Sequence, residues 1–328
     1  MKKGLFILFI ILALVMFVVD MMVGSTSLSP GQVIEGLFGT TDDVTVVKIV
    51  RDIRLLKALA AVFAGMALTI SGLQMQTLFR NPLAGPYVLG ITSGASLAVA
   101  VVVLGLPIIA VSLPDWASTL SIAGAAWIGS ALVLLAISLI GRRVRDIMVL
   151  LILGMMFSAG VSALVQVLQY FSREDSLKSY VIWTMGSLGD ITTGQLWMLA
   201  ISTVAGLVLA VVTIKSLNLL LLGETAAISS GLNIRRSRGL LFLSTTLLAG
   251  GITAFCGPIG FIGLAMPHVA RAIFGTSDHR VLIPAAGLVG IVSMLLCDMF
   301  SKLMLLPLNS ITSLLGIPLV IWIVLKHR

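Results

Sequence analysis

Long, continuously apolar segments follow one another along the chain, separated by short polar or basic stretches. A helix that crosses a bilayer needs about 20 predominantly apolar residues. A membrane β-barrel would instead alternate polar and apolar positions, which these segments do not do. The pattern therefore predicts an all-α polytopic membrane protein. It has about ten transmembrane helices, near residues 4–23, 56–79, 88–106, 116–140, 147–169, 195–215, 239–256, 259–274, 281–305 and 310–325.

Composition supports this fold class. Hydrophobic residues make up 59% of the 328 residues, charged residues 10%, and the mean hydropathy is +1.15. A soluble domain has roughly 45–50% apolar and about 25% charged residues, so a soluble enzyme and a disordered chain are excluded. The net charge of +8 does not indicate nucleic-acid binding, because the basic residues lie between apolar segments, as cytoplasmic flanks do. We expect membrane lipid around the chain and no nucleic-acid partner.

The basic residues also predict how the chain is oriented. Lys2 and Lys3 precede a first helix without a convincing small-residue cleavage site, so this helix is read as uncleaved with its start in the cytoplasm. Ten spans then return the C-terminus to the cytoplasm and place 14 of the 21 Lys and Arg residues on that side. We expect a multi-pass protein of the inner (plasma) membrane with both termini in the cytoplasm.

A basic cluster on the outer side departs from this rule. Lys48, Arg51, Arg54 and Lys57 lie within ten residues at the outer mouth of the second span. External loops of this length normally carry few positive charges, so the cluster predicts a functional surface. A basic collar that contacts lipid headgroups is the alternative interpretation.

An internal repeat is present at an offset of 185 residues. It pairs Ala64 with Ala249, Gly65 with Gly250, Gly72 with Gly257, Pro82 with Pro267 and Gly90 with Gly275. The partners begin in spans two and seven, so spans 2–5 and 7–10 form two halves of opposite orientation. Inverted, pseudo-symmetric halves with helices interrupted by Gly and Pro are typical of transporters, although a channel could share this architecture.

Motifs for catalysis are missing from the sequence. It contains no G-x-x-x-x-G-K-[ST] loop, no His or Cys cluster with metal-ligand spacing and no serine elbow. Ionisable residues inside spans are few, chiefly Asp20 and Asp298 near outer helix ends. We expect no catalytic residue, no metal and no cofactor in this chain, which is therefore not predicted to be an enzyme.

Several motifs, in order, resemble one family of permeases. The second span leads into Arg80-Asn81-Pro82-Leu83-Ala84-Gly85-Pro86, and Gly260-Phe261-Ile262-Gly263-Leu264 precedes Pro267-His268 in the second half. Leu222-Gly223-Glu224, followed by Ala227 and Gly231, lies between the halves. Over about residues 50–325 the chain resembles the permease subunits (FecCD-like, type II) of ABC importers for iron-siderophores, haem and cobalamin.

The resemblance implies an assembly. Residues 1–328 would form a single transmembrane permease domain, with a first half at 50–170, a second half at 236–326 and a coupling loop at 216–237. A second permease subunit, in a homodimer, would complete the translocation path. Two separate ATPase subunits, which bind ATP-Mg, would dock in the cytoplasm, and a periplasmic substrate-binding protein would dock outside.

The resemblance also implies roles for particular residues. Arg54, Lys57 and Lys302 match basic residues that accept carboxylates of the binding protein, and Arg51, one turn before Arg54, would share this role. The sequence departs from the family pattern in having Leu56 for proline and Lys57 for arginine, and lysine loses the bidentate fork. ATPase coupling is assigned to the loop residues Gly223, Glu224, Ala227 and Gly231, with capping of the first turn of its own helix as the alternative for Glu224.

Two further sets of residues are predicted. Asn81, Pro82 and Leu83 would line a cytoplasmic gate, with Ile147 and Met148 on its other side, although a plain helix-terminating turn is the alternative for the first set. The second set, Gly65, Gly72, Gly250 and Gly257, would allow close helix packing.

The expected function is thus import of a metal chelate, foremost a ferric siderophore, with haem or cobalamin as the alternative cargo. A second class, an ion-coupled secondary carrier, is supported only by the inverted repeat and would depend on Asp20 or Asp298. A channel, which would need no binding protein, is the third class.

Overall fold

The structure is a computed structural model that describes residues 2–24, 26, 28–41, 43–108, 115–144, 146–189 and 191–326. Within these ranges the chain is helical and contains no β-strand. The helices are α1 Lys2–Met22, α2 Pro30–Phe38, α3 Val44–Leu78, α4 Ile91–Ile108, α5 Asp115–Arg143, α6 Ile147–Phe171, α7 Glu174–Thr184, α8 Thr193–Val212, α9 Ile214–Leu221, α10 Glu224–Ser229, α11 Ile234–Cys256, α12 Ile262–Phe274, α13 His279–Met304 and α14 Leu308–Lys326.

The predicted all-α polytopic fold is confirmed. Each of the ten predicted spans has a corresponding helix, namely α1, α3, α4, α5, α6, α8, α11, α12, α13 and α14. Among the described residues, seven helices are long and apolar enough to cross a membrane, and shorter apolar stretches lie at Ile122–Ile137, Ile262–Phe274 and Leu308–Ile321. The short helices α2, α7 and α9 were not predicted, because each is too short or too polar to stand out in an apolar window.

Two helices begin earlier than their apolar windows. The helix α3 starts at Val44 rather than near 56, and runs without a break through a π-helical segment, Ile49–Leu55. The helix α11 starts at Ile234 rather than near 239 and also contains a π-helical segment, Thr246–Gly250. Charged residues in the early turns, from Lys48 to Arg54 in α3 and from Arg235 to Arg238 in α11, hide such starts from a hydropathy window. In α3 the extension places the outer basic cluster on a helix.

The offset of 185 residues pairs residues of like conformation at some positions, such as the helical Gly65 and Gly250, but not at all of them. Gly72 lies inside α3, whereas its partner Gly257 follows the end of α11 with φ +72°. The non-helical connections that follow these two helices contain Gly85-Pro86 and Gly257-Pro258, respectively. When the two halves are aligned by these helix breaks, their offset differs from the 185 residues that single Gly and Pro matches suggested.

The centre of the fold is α3, which is buried almost continuously from Ala58 to Leu78. Its backbone is in close contact with two other helices. A Cβ on Gly65 would lie 2.2 Å from the carbonyl oxygen of Gly290 in α13, and a Cβ on Gly72 would lie 1.6 Å from that of Gly263 in α12. Close approach of helix backbones through small residues is a general feature of membrane helix packing.

The other two predicted packing glycines lie in the second half. Gly250 in α11 faces Ser130 of α5, and a Cβ on it would lie 3.3 Å from the Ser130 Cβ. Gly257 occupies the turn after α11, where its positive φ and a Cβ position 2.4 Å from the carbonyl oxygen of Trp183 both favour glycine.

Candidate functional site

The predicted functional residues fall at the two ends of α3. Lys57 lies near its outer end and Thr77 near its inner end. With a rise of 1.5 Å per residue, these two positions are roughly 30 Å apart, about the thickness of the hydrocarbon core. The predicted functional residues therefore lie at opposite ends of α3, and these ends are called the outer and the inner site after the predicted orientation of the chain.

The outer site contains a buried group of charges, here called the outer ionic cluster: Asp20, Lys57, Asp298 and Lys302. The Lys302 ammonium lies 2.7 Å from Asp298 Oδ2 and 2.8 Å from Asp20 Oδ1. The Lys57 ammonium lies 3.3 Å from Asp298 Oδ1. Both carboxylates are inaccessible to solvent, with side chains at most 1% exposed. The cluster joins α1, α3 and α13 with two positive and two negative groups, so its formal charges balance.

Arg54 lies beside the cluster and is also buried. Its guanidinium donates to the carbonyl oxygens of Met21, at 2.9 Å, and Met22, at 3.0 Å, and to that of Thr26. The last carbonyls of an α-helix have no partner within the helix, and a cation there complements the helix dipole. Arg54 thus caps the outer end of α1 and fixes it to α3.

The four predicted docking residues differ in how far they are available to another protein. Arg54 is 4% exposed and the Lys302 side chain 8%, and both are bound within this chain. Arg51 is exposed, with its Nε donating to the carbonyl oxygen of Leu37 at 3.0 Å, and the Lys57 side chain is 21% exposed. Arg54, Lys57 and Lys302 line an open cavity of about 550 Å³. The docking role of all four stays a prediction.

The inner site includes the predicted gate turn. Arg80 adopts φ +48°, and Asn81 Oδ1 accepts a hydrogen bond from the backbone N–H of Leu83 at 2.9 Å. His268 Nε2 donates to the carbonyl oxygen of Pro82 at 2.8 Å and so fixes the turn to α12. Leu83 is 46% exposed. One hydrogen bond within the turn and one to α12 therefore hold it in place. Its role as a gate stays a prediction.

The other predicted gate residues begin α6. Asp146 caps this helix, and its Oδ1 accepts a hydrogen bond from the Met148 backbone N–H at 2.8 Å. Met148 is 44% exposed, whereas Ile147 is buried. Of this pair, only Met148 therefore has an exposed side chain.

The predicted coupling loop contains α9 and α10. Gly223 and Gly231 lie on either side of α10 with φ +103° and +83°, conformations that other residues adopt only with strain. Glu224 pairs with Arg238 of α11, and Ala227 is fully buried. A Cβ on Gly223 would lie 3.5 Å from Nη1 of Arg80, so the loop and the gate turn are neighbours. Their coupling role stays a prediction.

Metal ligation is not indicated by the structure. No group of three or more His, Cys, Asp and Glu residues is close enough to hold a metal ion within the part of the chain that the structure describes. The two cysteines, Cys256 and Cys297, are free and buried in different helices. The predicted absence of a cofactor stays a prediction.

These features define a class. Among the residues that the structure describes, seven helices long and apolar enough to cross a membrane and three shorter apolar stretches describe a polytopic helical membrane protein. The sequence matches the profile of the FecCD transport family over residues 11–326, and the chain belongs to this family.

Two curated relatives have a similar degree of identity. The chain is 38% identical over 279 residues to the vitamin B12 import system permease protein BtuC of Salmonella typhi, covering 84% of this chain and 82% of the relative. It is 37% identical over 282 residues to the hemin transport system permease protein HmuU of Yersinia pestis, covering 84% and 83%. The family resemblance predicted from the motifs is confirmed.

Solved structures agree with the fold. An inward-facing metal-chelate type ABC transporter matches with a TM-score of 0.85 and 28% identity, covering 99% of both chains. PsaBC from Streptococcus pneumoniae in complex with Fab matches with a TM-score of 0.55 and 15% identity, covering 89% and 94%, which is a likeness of fold alone. The chain is thus a permease of the importer family for metal chelates, cobalamin and haem.

Proposed function

We propose that this chain is the transmembrane subunit of an ABC importer that moves a metal chelate, foremost a ferric siderophore, into the cytoplasm. The observation that carries the proposal is the likeness to a metal-chelate type ABC transporter over 99% of both chains. A periplasmic binding protein delivers the cargo, and two ATPase subunits drive transport. The chain itself catalyses no reaction and holds no cofactor, because ATP-Mg binds to the ATPase subunits. It pairs with a second copy of itself in the inner membrane, with both termini in the cytoplasm.

Haem or cobalamin is the second candidate cargo. The specific observation in favour of this alternative is that the two curated relatives are named for vitamin B12 and hemin import, at 38% and 37% identity. These nearly equal identities favour neither of the two over the other. Direct binding and uptake measurements with a ferric siderophore, haem and cobalamin distinguish the three.

The experiment that tests the proposal is co-purification with a partner ATPase and a binding protein, sought first among the products of neighbouring genes. We expect a stable complex in lipid whose ATP hydrolysis rises when the loaded binding protein is added. Failure of any such ATPase to co-purify would contradict the importer function and favour a secondary carrier.

Charge reversal at Arg51 tests docking at the outer site. Arg51 is exposed and makes one hydrogen bond to the backbone, so R51E changes the surface without removing a buried ion pair. Exposed charge pairs contribute about 1 kcal/mol or less and act mainly on the association rate. We expect R51E to slow association of the binding protein about fivefold at low salt, and less at high salt, in a surface-binding measurement.

The matched control for this test is R235E, because Arg235 is also exposed but lies at the other end of the molecule, the predicted inner end. The control should associate like the wild type. Equal association rates for R51E and R235E would remove Arg51 from the docking surface.

A further inference from the structure

A chain of hydrogen bonds connects the coupling loop to the inner end of α3. Asn218 of α9 accepts a hydrogen bond from the backbone N–H of His279 at 2.9 Å, and its Oδ1 lies 2.8 Å from His279 Nδ1. On the other side of the ring, His279 Nε2 lies 2.9 Å from Thr77 Oγ1. These three residues belong to α9, α13 and α3, and they are here called the Asn218–His279–Thr77 link.

The contacts of Asn218 determine its orientation. Its Nδ2 donates to Asp278 Oδ1 at 2.7 Å, which leaves Oδ1 directed at the histidine. The Arg280 backbone N–H and the Asn218 amide donate to the Asp278 carboxyl and hold its pKa below the ordinary value, so this acceptor is ionised at neutral pH. An amide turned the other way would place its oxygen against a carboxylate. The amide of Asn218 is therefore fixed.

The orientation of Asn218 in turn fixes the histidine. Because Asn218 Oδ1 can only accept, His279 Nδ1 must carry a proton and donate it. Nε2 then faces the Thr77 hydroxyl. When the ring is neutral, this hydroxyl donates to Nε2. When the ring is charged, the hydroxyl accepts from Nε2 and donates instead to the carbonyl oxygen of Leu73, 3.0 Å away. Both bonds of the ring persist in either protonation state.

The link is buried and lies between two predicted working parts. His279 is 1% exposed and Thr77 4%, so loss of a partner leaves a buried polar group unsatisfied. Asn218 is on α9, which leads directly into α10, and Thr77 is near the end of α3, just before the gate turn that starts at Arg80. A displacement of α9 therefore acts on α3 through hydrogen-bonded groups of fixed geometry.

We propose that the Asn218–His279–Thr77 link transmits movement of α9 and α10 to the inner ends of α13 and α3, and so couples ATP hydrolysis to opening of the gate. The inference rests on the proposed importer function. The three residues are assigned a positioning role, because they act through the helices that they join. Their loss uncouples the cycle, so that the ATPases consume ATP with less transport.

The test uses the whole complex in proteoliposomes, with partner ATPases, binding protein and radiolabelled cargo, and measures cargo molecules transported per ATP hydrolysed. T77V keeps the shape of the side chain but removes the hydroxyl, whereas T77S keeps the hydroxyl. We expect T77V to lower the ratio about fivefold and T77S to retain most of it, since mutations along a coupling route act at the level of 0.5–2 kcal/mol.

A matched control is available in the same helix. Thr69 is fully buried in α3, and its hydroxyl has no hydrogen-bond partner among the described residues, so T69V should keep the wild-type ratio. Combining T77V with N218L adds a second criterion. If both residues belong to one link, the double variant transports no less cargo per ATP than the poorer single variant. If the two residues act independently, the fold losses of the two single variants multiply.

The outcomes separate this inference from the function on which it rests. One outcome contradicts the link alone. In it, ATP hydrolysis by the wild-type complex responds to the binding protein, which supports the importer function, but T77V transports as much cargo per ATP as T69V. If the two single effects multiply in the double variant, the residues do not form one link. If the binding protein does not change ATP hydrolysis by the wild-type complex, both the importer function and the link are contradicted.

Discussion

Replacing Asp298 with Asn is expected to lower the free energy of unfolding by about 3–5 kcal/mol, the cost of breaking a buried ion pair. Asp298 contacts both Lys57 and Lys302, and its side chain is 1% exposed. Without it, two ammonium groups remain with Asp20 as the only carboxylate of the outer ionic cluster. The variant leaves excess positive charge beside the buried ends of α1 and α13, where the Lys302 side chain is 8% exposed.

Unfolding of the D298N variant can be followed through the chain's own thiols. Cys256 is free and 2% exposed, so a thiol-reactive dye labels it only when the protein unfolds. We expect the midpoint of thermal unfolding in detergent to fall by about 10 °C. The control is D52N, which neutralises an exposed aspartate on the same outer side and should unfold like the wild type. Equal midpoints for D298N and D52N would show that the cluster does not stabilise the fold.

Replacing Gly72 with Ala is expected to have an effect of similar size, about 3 kcal/mol or more, by a different mechanism. A Cβ at this position would lie 1.6 Å from the carbonyl oxygen of Gly263. That atom belongs to the backbone of α12 and cannot rotate away as a flexible side chain could. The two helices must separate, and the contacts around them in the buried centre of the fold are lost.

Gly239 provides the matched control for G72A. It lies in α11, and a Cβ on it would meet nothing within 4 Å. Alanine is a better helix former than glycine by about 1 kcal/mol, so G239A should be as stable as the wild type or slightly more stable. Measured by the same thiol labelling, a G72A variant as stable as G239A would contradict the close packing of α3 against α12.

Much of the fold could be predicted from the sequence because a bilayer imposes a long apolar run on every span. Hydropathy could not predict the first turns of α3, where Asp43 caps a helix whose early residues include Lys48 and Arg51. The short apolar stretch predicted at 259–274 corresponds to the shorter helix α12, which has Pro267 inside it.

At the outer site, the pattern of charges along the sequence does not predict which partner each basic residue binds. Arg54 and Lys57 are three residues apart, yet one is bound to carbonyls at the end of α1 and the other to a carboxylate of α13. Their partners come from distant parts of the sequence, so the basic cluster alone could not show that Arg54 is buried. The spacing of Asp298 and Lys302, four residues apart in one helix, was a local signal for part of the cluster.

At the inner site the informative contacts are entirely non-local. Thr77 and His279 are 202 residues apart, and Asn218 and His279 are 61 apart. Each residue alone is an ordinary polar residue near a helix end. Only the packing of α9, α13 and α3 brings them together, so sequence patterns could not show that the three residues are linked.

The most direct test of the proposed function is uptake of a radiolabelled ferric siderophore into proteoliposomes that contain this chain and its partner ATPases, with the loaded binding protein outside and ATP inside. The importer account predicts accumulation that requires both ATP and the binding protein and stops when the nucleotide is replaced by a non-hydrolysable analogue. Parallel vesicles with haem and cobalamin assign the cargo. Uptake that proceeds without ATPase subunits and follows an imposed proton or sodium gradient would contradict the account and identify a secondary carrier.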